Sequence, residues 1–114
     1  EKARGLEKAP FGIVGLETAF PLLYTKFVAT GRWSLSFVLE RFTSRPAQLF
    51  GLPGGRLEVG APADLTVIDL TEEREVDPAG FASKGKNTPF AGWRLKGWPK
   101  LTMLGGTVVW SELL

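Results

Sequence analysis

Ser44-Arg45-Pro46-Ala47-Gln48-Leu49-Phe50-Gly51-Leu52-Pro53-Gly54-Gly55 is the stretch at which the chain changes its habit. Its first half reads as a short helix. Ser44 stands where an N-cap is expected, Pro46 falls in the first turn, where a missing N–H does least harm, and Gly51 offers a left-handed stop. Its second half, Leu52-Pro53-Gly54-Gly55, is a turn cluster. Helical spacing lies before this stretch and β-like runs lie after it.

Upstream, Leu16, Ala19, Phe20, Leu23, Phe27 and Val28 recur at three- and four-residue spacing, which predicts a helix over 16–30 buried on at least one face. Pro21 falls in its early turns and Gly31 is its expected stop. Ser34 is expected to cap a second helix, with Leu35, Val38, Leu39 and Phe42 on one stripe. Ahead of both, Ala9-Pro10-Phe11-Gly12-Ile13-Val14-Gly15 reads as a shaped loop, where backbone can approach another group closely. Residues 1–8 read as a polar surface segment or a frayed turn.

Downstream, Arg56-Leu57-Glu58-Val59 reads as a short β run. Ala63-Asp64-Leu65-Thr66-Val67-Ile68-Asp69-Leu70 reads as a strand covered on both faces. Residues 71–99 are polar and rich in Gly and Pro, and read mostly as loop. Phe81, Phe90, Trp93 and Trp98 are expected to lie that loop against a surface. Leu101-Thr102-Met103-Leu104 and Thr107-Val108-Val109-Trp110 flank Gly105-Gly106, a hairpin signal. Helices that never alternate with strands argue against a free-standing α/β domain. They suggest the seam between two structural units.

The composition narrows the chemistry. The 114 residues are 44% hydrophobic and 23% charged, with a net charge of +2, a globular balance with no electrostatic footprint for nucleic acid. There is no cysteine and no histidine. A thiolate metal site, a histidine zinc centre and a Ser-His-Asp triad are therefore excluded within this chain. No apolar run reaches membrane-spanning length and no signal-peptide pattern opens the chain. The sequence starts Glu1-Lys2-Ala3-Arg4, and its single methionine is Met103, so it reads as a fragment or a processed product.

Candidate side chains resolve into bland roles. Glu17, after a glycine-containing loop, is expected to be a first-turn acid favouring the helix dipole rather than a general base. Asp64 and Asp69 lie five positions apart on a strand, on opposite faces, so turn and edge roles are expected rather than a metal pair. Glu72, Glu73, Arg74, Glu75 and Asp77 read as a solvated loop. Lys84, Lys86, Arg94, Lys96 and Lys100 among aromatics read as solubilising charges on an anchored loop, not as a nucleic-acid surface.

Three segments carry a family resemblance. Pro10-Phe11-Gly12-Ile13-Val14-Gly15-Leu16-Glu17-Thr18-Ala19-Phe20-Pro21-Leu22-Leu23 resembles the segment just after the last metal-ligand motif of bacterial (type I) dihydroorotases. Ser44-Arg45-Pro46-Ala47-Gln48-Leu49-Phe50-Gly51-Leu52, with Gly60-Ala61-Pro62-Ala63-Asp64-Leu65, resembles the general amidohydrolase signature where barrel passes into a small β domain. Phe81-Ala82-Ser83-Lys84-Gly85-Lys86-Asn87-Thr88-Pro89-Phe90, with Leu95-Lys96-Gly97-Trp98-Pro99, is similar to the dihydroorotase C-terminus.

The resemblance implies a C-terminal fragment of a TIM-barrel metal-dependent hydrolase. Residues 1–51 would be the last barrel-wall helices with the substrate loop, and 52–114 the C-terminal strands of the small composite β-sandwich domain. It implies a cytoplasmic enzyme of pyrimidine biosynthesis that interconverts N-carbamoyl-L-aspartate and dihydroorotate. Zinc would be held, and the general base supplied, by residues upstream of Glu1, with no catalytic and no metal residue in this chain. Phe11 and Gly12 are the positions carried over as substrate-binding. The implied partners are the rest of the barrel, a second copy of the enzyme or aspartate transcarbamoylase, with no nucleic acid and no membrane. The segment alone is expected to be inactive. A related cyclic amidohydrolase (allantoinase or dihydropyrimidinase) and a catalytically silent dihydroorotase-like subunit are the alternative readings.

Overall fold

The computed structural model describes residues 5–113. The polar start expected over 1–8 is a 3-10 turn at Leu6–Lys8, and residues 1–4 lie outside the described residues. The order is then α1 (Ala19–Leu23), a π-helical turn (Tyr24–Val28), α2 (Leu35–Phe42), α3 (Ser44–Phe50), β1 (Leu65–Glu75), a 3-10 turn (Pro78–Gly80), β2 (Arg94–Leu104) and β3 (Thr107–Ser111). The strands form one antiparallel sheet in the order β1-β2-β3.

The helix expected over 16–30 starts later and changes pitch. Leu16 is exposed, and the Thr18 N–H closes a turn on the Gly15 carbonyl at 3.2 Å. Pro21 is buried in the first turn of α1, where it has no N–H to leave unpaired. The Ala29 N–H then donates to the Tyr24 carbonyl at 2.8 Å, an i to i+5 bond that widens the last turn. With this turn, Tyr24 lies against Gly97 and Thr25 bonds to Lys96, both in β2.

Ser34 caps α2 as expected, its hydroxyl accepting from the Phe37 N–H at 3.1 Å. Ser44 does not cap α3. Thr43 holds the N-cap position between two abutting helices, and its hydroxyl donates back to the Leu39 carbonyl at 2.7 Å. Gly51 ends α3 in the left-handed region at φ 63. Gly55 then closes on the α2–α3 corner, where an added Cβ would lie 2.8 Å from the Thr43 carbonyl oxygen.

The β half departs further from its sequence reading. Residues 56–59 are exposed and lead into a turn closed by the Ala61 N–H donating to the Glu58 carbonyl, in place of a strand ladder. β1 is not covered on both faces: Thr66 and Val67 are exposed in this chain. It also runs on through Glu72, Glu73, Arg74 and Glu75, which are strand rather than solvated loop, while Asp77 stays outside it and its side chain accepts from the Ala79 N–H at the following 3-10 turn. The ladder pairs Glu73 with Lys96 and Glu75 with Arg94, and Arg94 Nε reaches Glu73 Oε1 at 2.7 Å. Opposite charges across two strands favour that pairing. β2 likewise starts at Arg94, inside the region read as loop.

The hairpin at Gly105-Gly106 forms as expected. Both glycines have positive φ, 55 and 81, the geometry of a type I′ turn. Phe81, Phe90 and Trp98 are half-buried, whereas Trp93 stays exposed under the Lys26 ammonium, 4.4 Å from its ring centroid.

The core is small. Leu95, Val38 and Val76 are fully buried, and Phe20, Tyr24 and Phe42 form an aromatic cluster between α1, α2 and β2. The radius of gyration is 16.2 Å, against about 13 Å for a compact domain of this length. The chain exposes 8310 Å², against roughly 6,100 Å² for a folded monomer of its mass. Among the exposed residues are Phe11, Leu16, Leu49, Phe50, Leu57 and Val59, so much of the surplus is apolar.

Candidate functional site

Residues 10–15, read as a shaped loop, are held from one side by residues 81–88. The Val14 N–H donates to the Asn87 carbonyl at 2.9 Å. The Asn87 side-chain Nδ2 donates to the Gly12 carbonyl at 2.6 Å. Main chain and side chain of one residue thus bracket Ile13. Gly85 lets the two segments close up: a Cβ there would lie 2.9 Å from Val14 Cγ2. Gly12 turns the loop at φ 82, which a side chain would strain.

Glu17 makes the second attachment. Its carboxylate accepts from the Ala82 N–H at 3.0 Å, the Ser83 N–H at 3.1 Å and the Ser83 hydroxyl at 2.8 Å. Burial pushes the Glu17 carboxyl up. The hydrogen bonds from Ser83 and Ala82, helped by the nearby Lys86 charge, outweigh that and hold it below its usual value. The expectation of a dipole-favouring first-turn acid is corrected here. Glu17 precedes α1 and is spent on a segment 65 residues away.

The loop's side chains contribute little to holding it. Phe11 is fully exposed at 108% and Ile13 is 55% exposed. Phe11 and Gly12 therefore sit next to each other on the open side of a loop whose position is set by hydrogen bonds from behind. Local sequence signals pointed to the loop, through its Pro and Gly, but not to Asn87 or Ser83. Those two residues show no local pattern, and only the family resemblance of residues 81–90 marked them.

The other candidates fall into turn and pairing roles. Asp64 accepts from the Gly105 N–H at 2.6 Å, which ties the start of β1 to the hairpin. Asp69 accepts from the Thr71 N–H, the Thr71 hydroxyl and the Glu72 N–H at the β1 irregularity. These bonds hold its carboxyl down at about 2. Of the basic residues, Arg94 pairs with Glu73, Lys100 pairs with Glu72 and Glu112, and Lys86 donates to the Phe81 carbonyl at 2.6 Å. An open groove beside residues 80–82 is lined by Glu17, Arg74, Trp98 and Glu112, and Arg74 is itself paired with Glu72 and Glu112.

The zinc implied by the resemblance does not fit the residues present. The sequence has no histidine or cysteine, and among the described residues no three of His, Cys, Asp and Glu gather as a metal site. The carboxylate beside the loop, Glu17, has its oxygens committed to Ala82 and Ser83. No described helix is long and apolar enough to cross a membrane.

The Amidohydrolase family model matches residues 5–109. The chain belongs to the amidohydrolase family. The amidohydrolase segment is 64% identical over 112 residues to the dihydroorotase of Bacillus caldolyticus, covering 98% of this chain and 26% of that protein. To the dihydroorotase of Halalkalibacterium halodurans it is 62% identical over 112 residues, with the same coverage. Among solved structures it is similar to the L-hydantoinase (dihydropyrimidinase) of Arthrobacter aurescens. There the TM-score is 0.87 and the identity 41%, over 96% of this chain and 25% of that one. The amidohydrolase segment thus spans about a quarter of the length of the relatives it matches.

Proposed function

We propose that this segment is the C-terminal part of a dihydroorotase, an enzyme that interconverts N-carbamoyl-L-aspartate and dihydroorotate in pyrimidine biosynthesis. The observation that carries the reading is the 64% identity to a curated dihydroorotase along 98% of the chain. In this reading residues 1–51 complete the TIM barrel with its last wall helices. Residues 52–114 supply the C-terminal strands of the small β-sandwich domain. The surplus apolar surface supports that arrangement, because it is surface that a larger fold would cover.

The loop supplies the segment's part in the chemistry. Phe11 and Gly12 would lie on the substrate ring, with Gly12 allowing close approach of main chain and Phe11 excluding water over the ring. Any zinc, with its ligands and the general base, would belong to the remainder of the polypeptide. The site is cytoplasmic in this reading. The remaining barrel is the obligate partner, and a second copy or aspartate transcarbamoylase a further one.

The full-length polypeptide carrying this segment is the material for the test. Purified with zinc, it is expected to cyclise N-carbamoyl-L-aspartate and open dihydroorotate, while the segment alone does neither. A folded, zinc-loaded full-length protein without that activity would overturn the reading. The likeness to a hydantoinase structure at 41% identity favours a second reading, a cyclic amidohydrolase acting on hydantoin or dihydrouracil. Higher kcat/KM on either of those rings than on dihydroorotate would establish it.

A further inference from the structure

We infer that Asn87 is a positioning residue for the ring-binding loop, acting as the latch that sets where Phe11 and Gly12 stand; this rests on the functional reading above. The geometry is specific. Asn87 holds the loop by two bonds of opposite sense, donating from Nδ2 to the Gly12 carbonyl at 2.6 Å and accepting at its own carbonyl from the Val14 N–H at 2.9 Å. The two attachment points flank Ile13, so they fix both the height of the loop and its rotation about its own axis. Burial offers no substitute: Phe11, Gly12 and Ile13 are all exposed in this chain.

The neighbours of Asn87 are arranged to keep it in place. Thr88 is buried, and its Oγ1 accepts from the Phe90 N–H at 3.2 Å, anchoring the latch from the following residue. At the other end of the 81–88 segment, Ala82 and Ser83 grip Glu17. Asn87 adds the attachment at the Gly12 end of the loop. A Cβ added at Gly12 would meet nothing within 4 Å, so the Gly12 Cα face is open for a ring to rest on.

A loop held in this way binds the ground state and the transition state alike, so loss of the latch should appear in KM rather than in kcat. The test uses the full-length enzyme with dihydroorotate. Asn87→Asp keeps the shape of the side chain but sets a carboxylate oxygen against the Gly12 carbonyl. It is expected to raise KM about tenfold, with kcat, bound zinc and Tm near the wild-type values. If Asn87→Asp does not accumulate folded, Asn87→Ala removes the donor without the repulsion and carries the same test.

Gly12→Val is measured in parallel: its Cβ would meet nothing within 4 Å, but at φ 82 it strains the main chain, so it acts on the loop itself. A raised KM in both variants supports the latch. A raised KM in Gly12→Val alone overturns the latch and leaves the loop reading standing. No change in KM in either variant removes the loop reading, and the latch with it. A fall in kcat with Tm at unchanged KM would mean that Asn87 serves only the fold, and also overturns the inference.

Discussion

The Thr25 hydroxyl and the main chain of Lys96, 71 residues apart, exchange hydrogen bonds in both directions: the Lys96 N–H donates to Oγ1 at 2.8 Å, and Oγ1 donates to the Lys96 carbonyl at 3.2 Å. The exchange takes place where the β1–β2 register shifts, between the pairs Asp69↔Trp98 and Glu73↔Lys96. A helical side chain thus completes a strand's hydrogen bonding at a bulge, and so joins the helical half of the chain to the sheet. Thr25→Val keeps the shape and removes both bonds, leaving part-buried main-chain groups unpaired. The expected cost is about 1–3 kcal/mol, read as a lower urea midpoint of the full-length protein, and Thr25→Ser is expected to restore most of it.

Gly97 sits beside that exchange at φ 87, and an added Cβ would come within 3.1 Å of Tyr24 Cδ1 and 3.2 Å of Phe20 Cε1. Gly97→Ala therefore meets both a backbone penalty and a crowded aromatic pair. A loss of about 2 kcal/mol or more is expected. Gly80→Ala, where φ is ordinary and nothing lies within 4 Å, is the matched control and should change stability little.

Glu112 tests the charge network on the sheet. The Arg74 guanidinium holds its carboxyl down, against the opposing effect of burial and with help from Lys100, so that it falls from an ordinary 4.5 to about 2. A depressed folded value means stability that is fully present above pH 4.5 and lost as pH falls through about 2. The stability difference between wild type and Glu112→Gln should therefore be constant from pH 7 to about 5 and vanish towards pH 2. A difference that stays constant down to pH 2 would mean the pairing adds nothing to the fold.

Phe11 separates function from folding. It is fully exposed in this chain, so Phe11→Ala removes no packing within the segment, and the full-length variant is expected to stay folded. In the proposed dihydroorotase the same change should raise KM for dihydroorotate several-fold. An unchanged KM would remove Phe11 from the substrate site.

Zinc binding gives the simplest check on the division of labour. Titrated calorimetrically with zinc, the 114-residue segment should show no binding tighter than the millimolar range typical of scattered carboxylates. The full-length protein should bind zinc stoichiometrically. Tight binding by the segment would contradict the assignment of all ligands to the rest of the polypeptide.

Some of this was written locally. Ser34, with its reach to the Phe37 N–H, started α2, Gly51 stopped α3 and Gly105-Gly106 turned the hairpin, because caps and tight turns depend on neighbours a few residues away. The shaped loop around Gly12 was legible for the same reason, and so was the absence of any histidine for a metal. The extent of β1 was not. Glu72–Glu75 look solvated until Arg94 and Lys96 are brought opposite them, and a charged run becomes a strand only when its partner strand is present. The role of Glu17 was misread on the same ground, since its hydrogen-bond donors stand 65 and 66 residues away.

By itself, then, the sequence pointed to the family and to the order of helices before strands, and its lack of histidine and cysteine excluded a thiolate or histidine metal site within it. Only the tertiary structure decided that Thr25 mends the ladder at Lys96 and that Asn87 latches the loop at Gly12 from 75 residues away. The reason is physical. A side-chain hydrogen bond has no sequence period and no preferred separation, so it can be recognised only once the chain has brought its two ends together.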